Sequence, residues 1–191
     1  GWWRDLRIIC ILNHTSLYEV LLVGYAPLAL VWKFARHGVL PLAEKTARRP
    51  FVGRFFRSLM RHVVVITRQR DRTWDEVLNR VDTQAVVTIL PEGRMMRKDG
   101  LDASGRPMTV RGGIADILQV LHGGSMLILY SSGMHHIQAP GELLPRPFRS
   151  LRVRFEKVDI PTYNAERMAE AGSEDDFKHA VVRDLEGRRD L

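Results

Sequence analysis

The chain has 191 residues, is 45% hydrophobic and carries a formal net charge of +7. That length supports one domain over 1–191 with a full core, and a single cysteine excludes an intrachain disulfide framework. The charge favours anionic partners, whether nucleic acid, a membrane face or phosphorylated and acidic carrier substrates, without choosing among them.

The sequence opens on Gly rather than Met and enters an apolar run almost at once, so it reads as a piece of a longer chain lacking an N-terminal segment. Ile8 to Leu12, β-branched and apolar, predicts a buried strand ending at Asn13. Thr15 and Ser16 can cap a helix beginning near Leu17, disturbed at Pro27 and stopped at Gly38. Its most apolar part, Val20 to Trp32, contains Gly24 and Pro27 and falls short of the roughly eighteen uninterrupted apolar residues of a span. It reads as a buried or membrane-facing amphiphilic helix.

Leu40 to Ala43 predicts a short strand, Glu44 to Pro50 a polar, basic connection, and Pro50 the start of a helix. Phe51, Val52, Phe55, Phe56, Leu59 and Met60 recur in that helix at core-facing spacing. Val63 to Ile66 and Ala85 to Leu90 are further strands, separated by a helix from Thr73 to Val81. Met95 to Thr109, polar and glycine-containing, predicts an exposed loop. A helix at Ile114 to Leu121, a strand at Met126 to Tyr130, a loop at Ser131 to His136 and a half-wet strand at Leu151 to Val158 follow. Ala165 to Leu185 reads as a charged, amphipathic helix, and 165–191 as a helical tail. Continuous apolar strands alternating with helices predict an α/β fold, a central mostly parallel sheet flanked by helices.

In such sheets ligands gather at the C-terminal ends of strands, and polar groups stand at three of them. His14 follows the first strand, with Glu19 five residues on, where a carboxylate can fix the imidazole tautomer for general-base work. The residues alone leave that reading level with a polar strand end bearing an incidental histidine. Arg68 follows Val63-Val64-Val65-Ile66-Thr67, and Pro91-Glu92-Gly93-Arg94 follows the third clear strand.

Asn13-His14-Thr15-Ser16 with its acidic residue, then Val-Val-Val-Ile-Thr-Arg, then Ile-Leu-Pro-Glu-Gly-Arg, together resemble the glycerophospholipid acyltransferase superfamily, typified by bacterial lysophosphatidate acyltransferases. The resemblance runs from about Ile8 to Ser132. The family usually carries Asp at the positions of Glu19 and Thr67, a Thr between Gly93 and Arg94, and a proline in the strand here formed by Met126 to Tyr130.

The resemblance implies His14 and Glu19 as catalytic base and orienting partner, with Arg68, Glu92, Gly93 and Arg94 on the acceptor. It implies acyl transfer from acyl-CoA or acyl carrier protein to the hydroxyl of a lysophospholipid or related glycerol phosphate. No metal or bound cofactor is expected, and the setting implied is the cytoplasmic face of an anionic membrane. The rival readings are an amine or sugar acceptor, or a non-catalytic lipid- or nucleic-acid-binding module on the same fold. The basic clusters are dispersed and no nucleic-acid-binding motif accompanies them, so no nucleic-acid partner is expected. His135 and His136 lack a carboxylate or cysteine at ligand spacing, Cys10 lies in an apolar strand, and Ser16 has no Gly-x-Ser-x-Gly elbow. None of these is assigned chemistry.

Overall fold

The computed structural model describes residues 1–15, 24–67, 69, 71–97, 99–132, 137, 146 and 152–189, with backbone alone at 50–52, 131–132, 152 and 174–175. Among them, β1 (Leu6–Leu12), β2 (Gly38–Ala43), β3 (His62–Ile66), β4 (Val86–Ile89), β5 (Ser125–Ser132) and β6 (Arg152–Asp159) form one sheet in the order β3-β2-β4-β1-β5-β6. Every pairing is parallel except β5 with β6. The predicted fold class is therefore the one observed. β1 lies between β4 and β5, with Cys10 opposite both Ile89 and Ile128, which explains its unbroken apolar character.

Alternation along the strands sends side chains to two different covers. Ile8, Cys10 and Leu12 of β1 join Val87 and Ile89 of β4 in a core closed by α4 (Arg72–Asn79), α5 (Gly113–Val120), α6 (Ile160–Ala171) and α7 (Glu174–Arg189). Ile9 and Val86 join Leu40, Leu42, Leu127 and Leu129 on the opposite face. Its cover is lighter, Leu30 and Phe34 of α1 (Leu28–His37) with Met60 and the last turn of α3 (Pro50–Leu59).

Several expectations change at this level. Pro27 caps α1 instead of interrupting a longer helix, while residues 16–23 lie outside the described part. Of the described part of the amphiphilic stretch, Leu30 is buried against the sheet while Tyr25, Leu28 and Trp32 are 90%, 87% and 61% exposed, an amphiphilic face turned outward. The basic connection after β2 contains a short helix, α2 (Glu44–Ala47), packed so tightly on α3 that a Cβ at Gly53 would lie 2.3 Å from the Ala47 carbonyl oxygen.

Met95 to Thr109 is not an open loop. Leu101 bridges Pro107, and Asp102 and Met108 are buried. The helical tail is two core helices: Gly172, at φ 75°, ends α6 in a left-handed cap, and Phe177, Val181 and Leu185 of α7 are fully buried. The charge pattern of that segment described its wet face; the four-residue spacing of those apolar side chains was the signal for the dry one.

Candidate active site

β1 and β4 are hydrogen-bonded neighbours, so the residues that leave their C-terminal ends are forced together. After β1 the chain turns through Asn13 at φ 59°, the positive-φ non-glycine residue of the described chain and a conformation that asparagine tolerates better than most. This turn aims two successive N–H groups at one point, a small anion nest. Glu92 fills it. Asn13 N–H donates to its Oε1 at 3.0 Å and His14 N–H to its Oε2 at 3.1 Å.

Glu92 is 1% exposed, and burial pushes its carboxyl above the usual glutamate range. The N–H groups of Asn13 and His14, with the charges of Arg189 and His14, oppose that shift. Expected as an acceptor contact, its carboxylate is instead turned inward, to the backbone that carries the histidine.

The rest of the Pro91-Glu92-Gly93-Arg94 turn is built for that grip. Gly93, at φ 63°, donates its N–H to the Leu90 carbonyl at 2.9 Å, and Arg111 donates its N–H to the Pro91 carbonyl at 2.9 Å. The chain then runs back so that Met96 N–H donates to the His14 carbonyl at 2.7 Å. The peptide of His14 is thus held at both ends by the segment following β4, while its half-buried side chain lines a cleft. Arg94 pairs with the buried Asp102, whose Oδ1 accepts the N–H groups of Ser104 and Arg106 at 2.7 and 3.0 Å. Arg94 is therefore braced, and at 31% exposure it still borders the cleft.

That cleft has a volume of about 1520 Å³. Towards the strand ends it is lined by His14, Lys45, Arg49, Arg94, Arg97 and Arg111; along the lightly covered sheet face it is lined by Ile9, Leu42, Leu127 and Leu129. The cations suit an anion and the apolar side chains an apolar chain, and the His14 side chain lines the same cleft.

His14, Glu92, Gly93 and Arg94 are brought to one strand edge. Glu19, Arg68, Ser16, His135 and His136 lie outside the described residues. Cys10 is fully buried and burial drives its thiol pKa far up, in keeping with a core role. Among the described residues no His, Cys, Asp and Glu group is arranged to hold a metal ion. Sequence reasoning missed Arg111, whose only linear signal is a cation before a Gly-Gly helix start, and Asp102, which reads as an ordinary loop acid.

A doubly covered, mostly parallel sheet with a histidine turn clamped by a Glu-Gly-Arg turn is the framework on which the comparisons bear. A family model described as Acyltransferase matches residues 4–137, more than half of the chain. The chain belongs to the acyltransferase family, and the motif resemblance to the glycerophospholipid acyltransferase superfamily is borne out. No curated protein matches it. Among solved structures, the 1-acyl-sn-glycerophosphate (LPA) acyltransferase PlsC from Thermotoga maritima is similar, with a TM-score of 0.56 at 18% identity. The match covers 100% of this chain and 69% of that one, a likeness of fold.

Proposed function

We propose that the protein transfers a fatty acyl group from a thioester, acyl-CoA or acyl carrier protein, to the hydroxyl of a lysophospholipid or related glycerol phosphate. The observation that carries the reading is that His14 lines a single cleft together with cations, Arg49, Arg94 and Arg111 among them, and with apolar side chains of the sheet face. Family membership supports acyl transfer. PlsC is by name a 1-acyl-sn-glycerophosphate acyltransferase, and the arginines of this cleft suit a phosphate of the same kind.

In this reading the His14 imidazole takes the proton of the acceptor hydroxyl as its oxygen attacks the thioester carbonyl. A tetrahedral oxyanion forms, the C–S bond breaks, and the departing thiolate takes the proton from the imidazolium. Glu19 orients the imidazole, Arg68 and Arg94 hold the acceptor phosphate with Arg111, and Gly93 lets the acceptor approach the backbone. Glu92 serves the acceptor indirectly by fixing the His14 peptide.

The setting we propose is the surface of an anionic membrane, on its cytoplasmic face. Tyr25, which lines the cleft, and Leu28 and Trp32 of α1 are exposed on a chain of charge +7, and the Arg36 guanidinium lies 4.8 Å from the centre of the Trp32 ring. Among the described residues no helix is long and apolar enough to cross a membrane.

The deciding experiment measures thiol release from acyl-CoA and acyl carrier protein against lysophospholipids, an amine and a sugar. Release with a lysophospholipid, lowered about a hundredfold to ten-thousandfold in a folded His14→Ala variant, is expected. Release with only an amine or sugar reassigns the acceptor, and full activity of the variant removes the mechanism.

A further inference from the structure

We propose that the C-terminal end of α7 is part of the active-site frame, with Glu186 and Arg189 as positioning residues for the turn that carries His14 and for the segment that follows Gly93. The kinetic consequence rests on the acyl-transfer reading; the positioning itself does not. Three hydrogen bonds make the connection. The Arg189 carbonyl accepts from Asn13 Nδ2 at 3.2 Å. Arg189 Nη1 donates to the Met108 carbonyl at 2.6 Å, and Glu186 Oε1 accepts the Val110 N–H at 3.0 Å.

These bonds reach both sides of the Glu92 clamp: Asn13 is one of its two backbone partners, and Met108 and Val110 end the segment that docks on the His14 carbonyl. The Arg189 charge also faces the buried Glu92 carboxylate and favours its ionised, doubly accepting form. A fraying helix end could not hold a turn in place, but this one is braced. Arg188 Nε donates to Asp184 at 2.7 Å, and the same guanidinium pairs with Glu156 of β6. All of these α7 groups lie beyond residue 137, where the family match ends.

The test compares Arg189→Ala, Arg189→Lys and Glu186→Ala with Arg183→Ala, a control at an exposed position of the same helix, by acyl-transfer kinetics and by amide hydrogen exchange. A base displaced by a fraction of an ångström loses turnover rather than substrate affinity. Arg189→Ala is therefore expected to lower kcat about tenfold to a hundredfold while KM for the acyl donor stays within about twofold. Exchange at the Asn13 and His14 amides should quicken while the β5 amides stay protected. Arg189→Lys, which keeps the charge beside Glu92, should recover part of kcat, and Arg183→Ala should behave as wild type.

Folded Arg189→Ala and Glu186→Ala proteins with wild-type kcat and wild-type exchange at Asn13 and His14 overturn the proposal. If Arg189→Ala fails to fold, Glu186→Ala decides, because it removes the acceptor of the Val110 N–H and leaves the Arg189 contacts in place. A wild type inactive on every acceptor removes the reaction, and the exchange measurement then judges the positioning alone.

Discussion

A buried carboxylate is costly unless its oxygens are occupied, and both oxygens of Glu92 accept backbone N–H groups. Glu92→Gln replaces one accepting oxygen with an NH₂ group that faces an N–H, so we expect a loss of about 2 kcal/mol in urea unfolding. Turnover should fall with it, since His14 rides on that contact. The pH dependence has a definite sign. A carboxyl raised in the folded state keeps its proton longer than in the unfolded chain, so the native state binds more protons and stability falls as pH rises through the window. That window opens at the ordinary value of 4.5 and extends upward. The wild-type minus Glu92→Gln difference in unfolding free energy should therefore shrink as pH rises past 4.5; a growing difference would contradict the burial argument. Thr88 is the opposite case, a buried hydroxyl whose Oγ has no hydrogen-bond partner among the described residues. Thr88→Val keeps the shape in a central strand and should raise stability by about 1 kcal/mol. A lower melting temperature would mean that the hydroxyl has a partner after all.

At the scale of elements, the cations at the cleft mouth depend on how α2 meets α3. Lys45 lies in α2 and Arg49 immediately before α3, and the helices can approach as they do because Gly53 has no side chain. Gly53→Ala must push them apart. It should lower the melting temperature and raise KM for a phosphorylated acceptor more than for the acyl donor; equal changes in both KM values would count against it. Element type was largely legible in the sequence because strands such as Ile8 to Leu12 and Val86 to Ile89 are continuously apolar, a pattern set by local burial. The joints between elements were not. Nothing in the sequence around Ala43 announces α2, and the basic residues there fit a loop equally well. The break at Gly172 hid inside a charge pattern that runs through both α6 and α7. At the site, His14, Glu92, Gly93 and Arg94 were legible because each follows a strand. The inward turn of Glu92 and the reach of Arg189 to Asn13 depend on contacts between distant segments, which periodicity does not encode.

Among the described residues the sheet is covered unequally. One face carries four helices and a full core, whereas the other carries α1 and the end of α3, with Phe55 and Phe155 46% and 60% exposed. The membrane setting proposed above gives these apolar side chains a partner. Binding to anionic vesicles should be measurable by sedimentation at low ionic strength and fall as salt is added. Trp32→Ala combined with Leu28→Ser should weaken it at constant net charge. Undiminished binding of the double variant would assign the association to the basic residues alone.

The grip of Glu92 on the histidine turn also has a meaning in time. Asn13 and His14 are made before their partners: the carboxylate that holds their N–H groups is separated from them by 79 and 78 positions, and the Arg189 carbonyl from Asn13 by 176. On a ribosome the turn therefore waits for β4 to emerge and pair with β1, and then for the last turn of α7 to dock. Contacts at such separations form slowly. In a refolding experiment the sheet should regain its circular dichroism before the Asn13 and His14 amides regain protection from exchange, so that the histidine turn takes its final shape after the sheet that carries it.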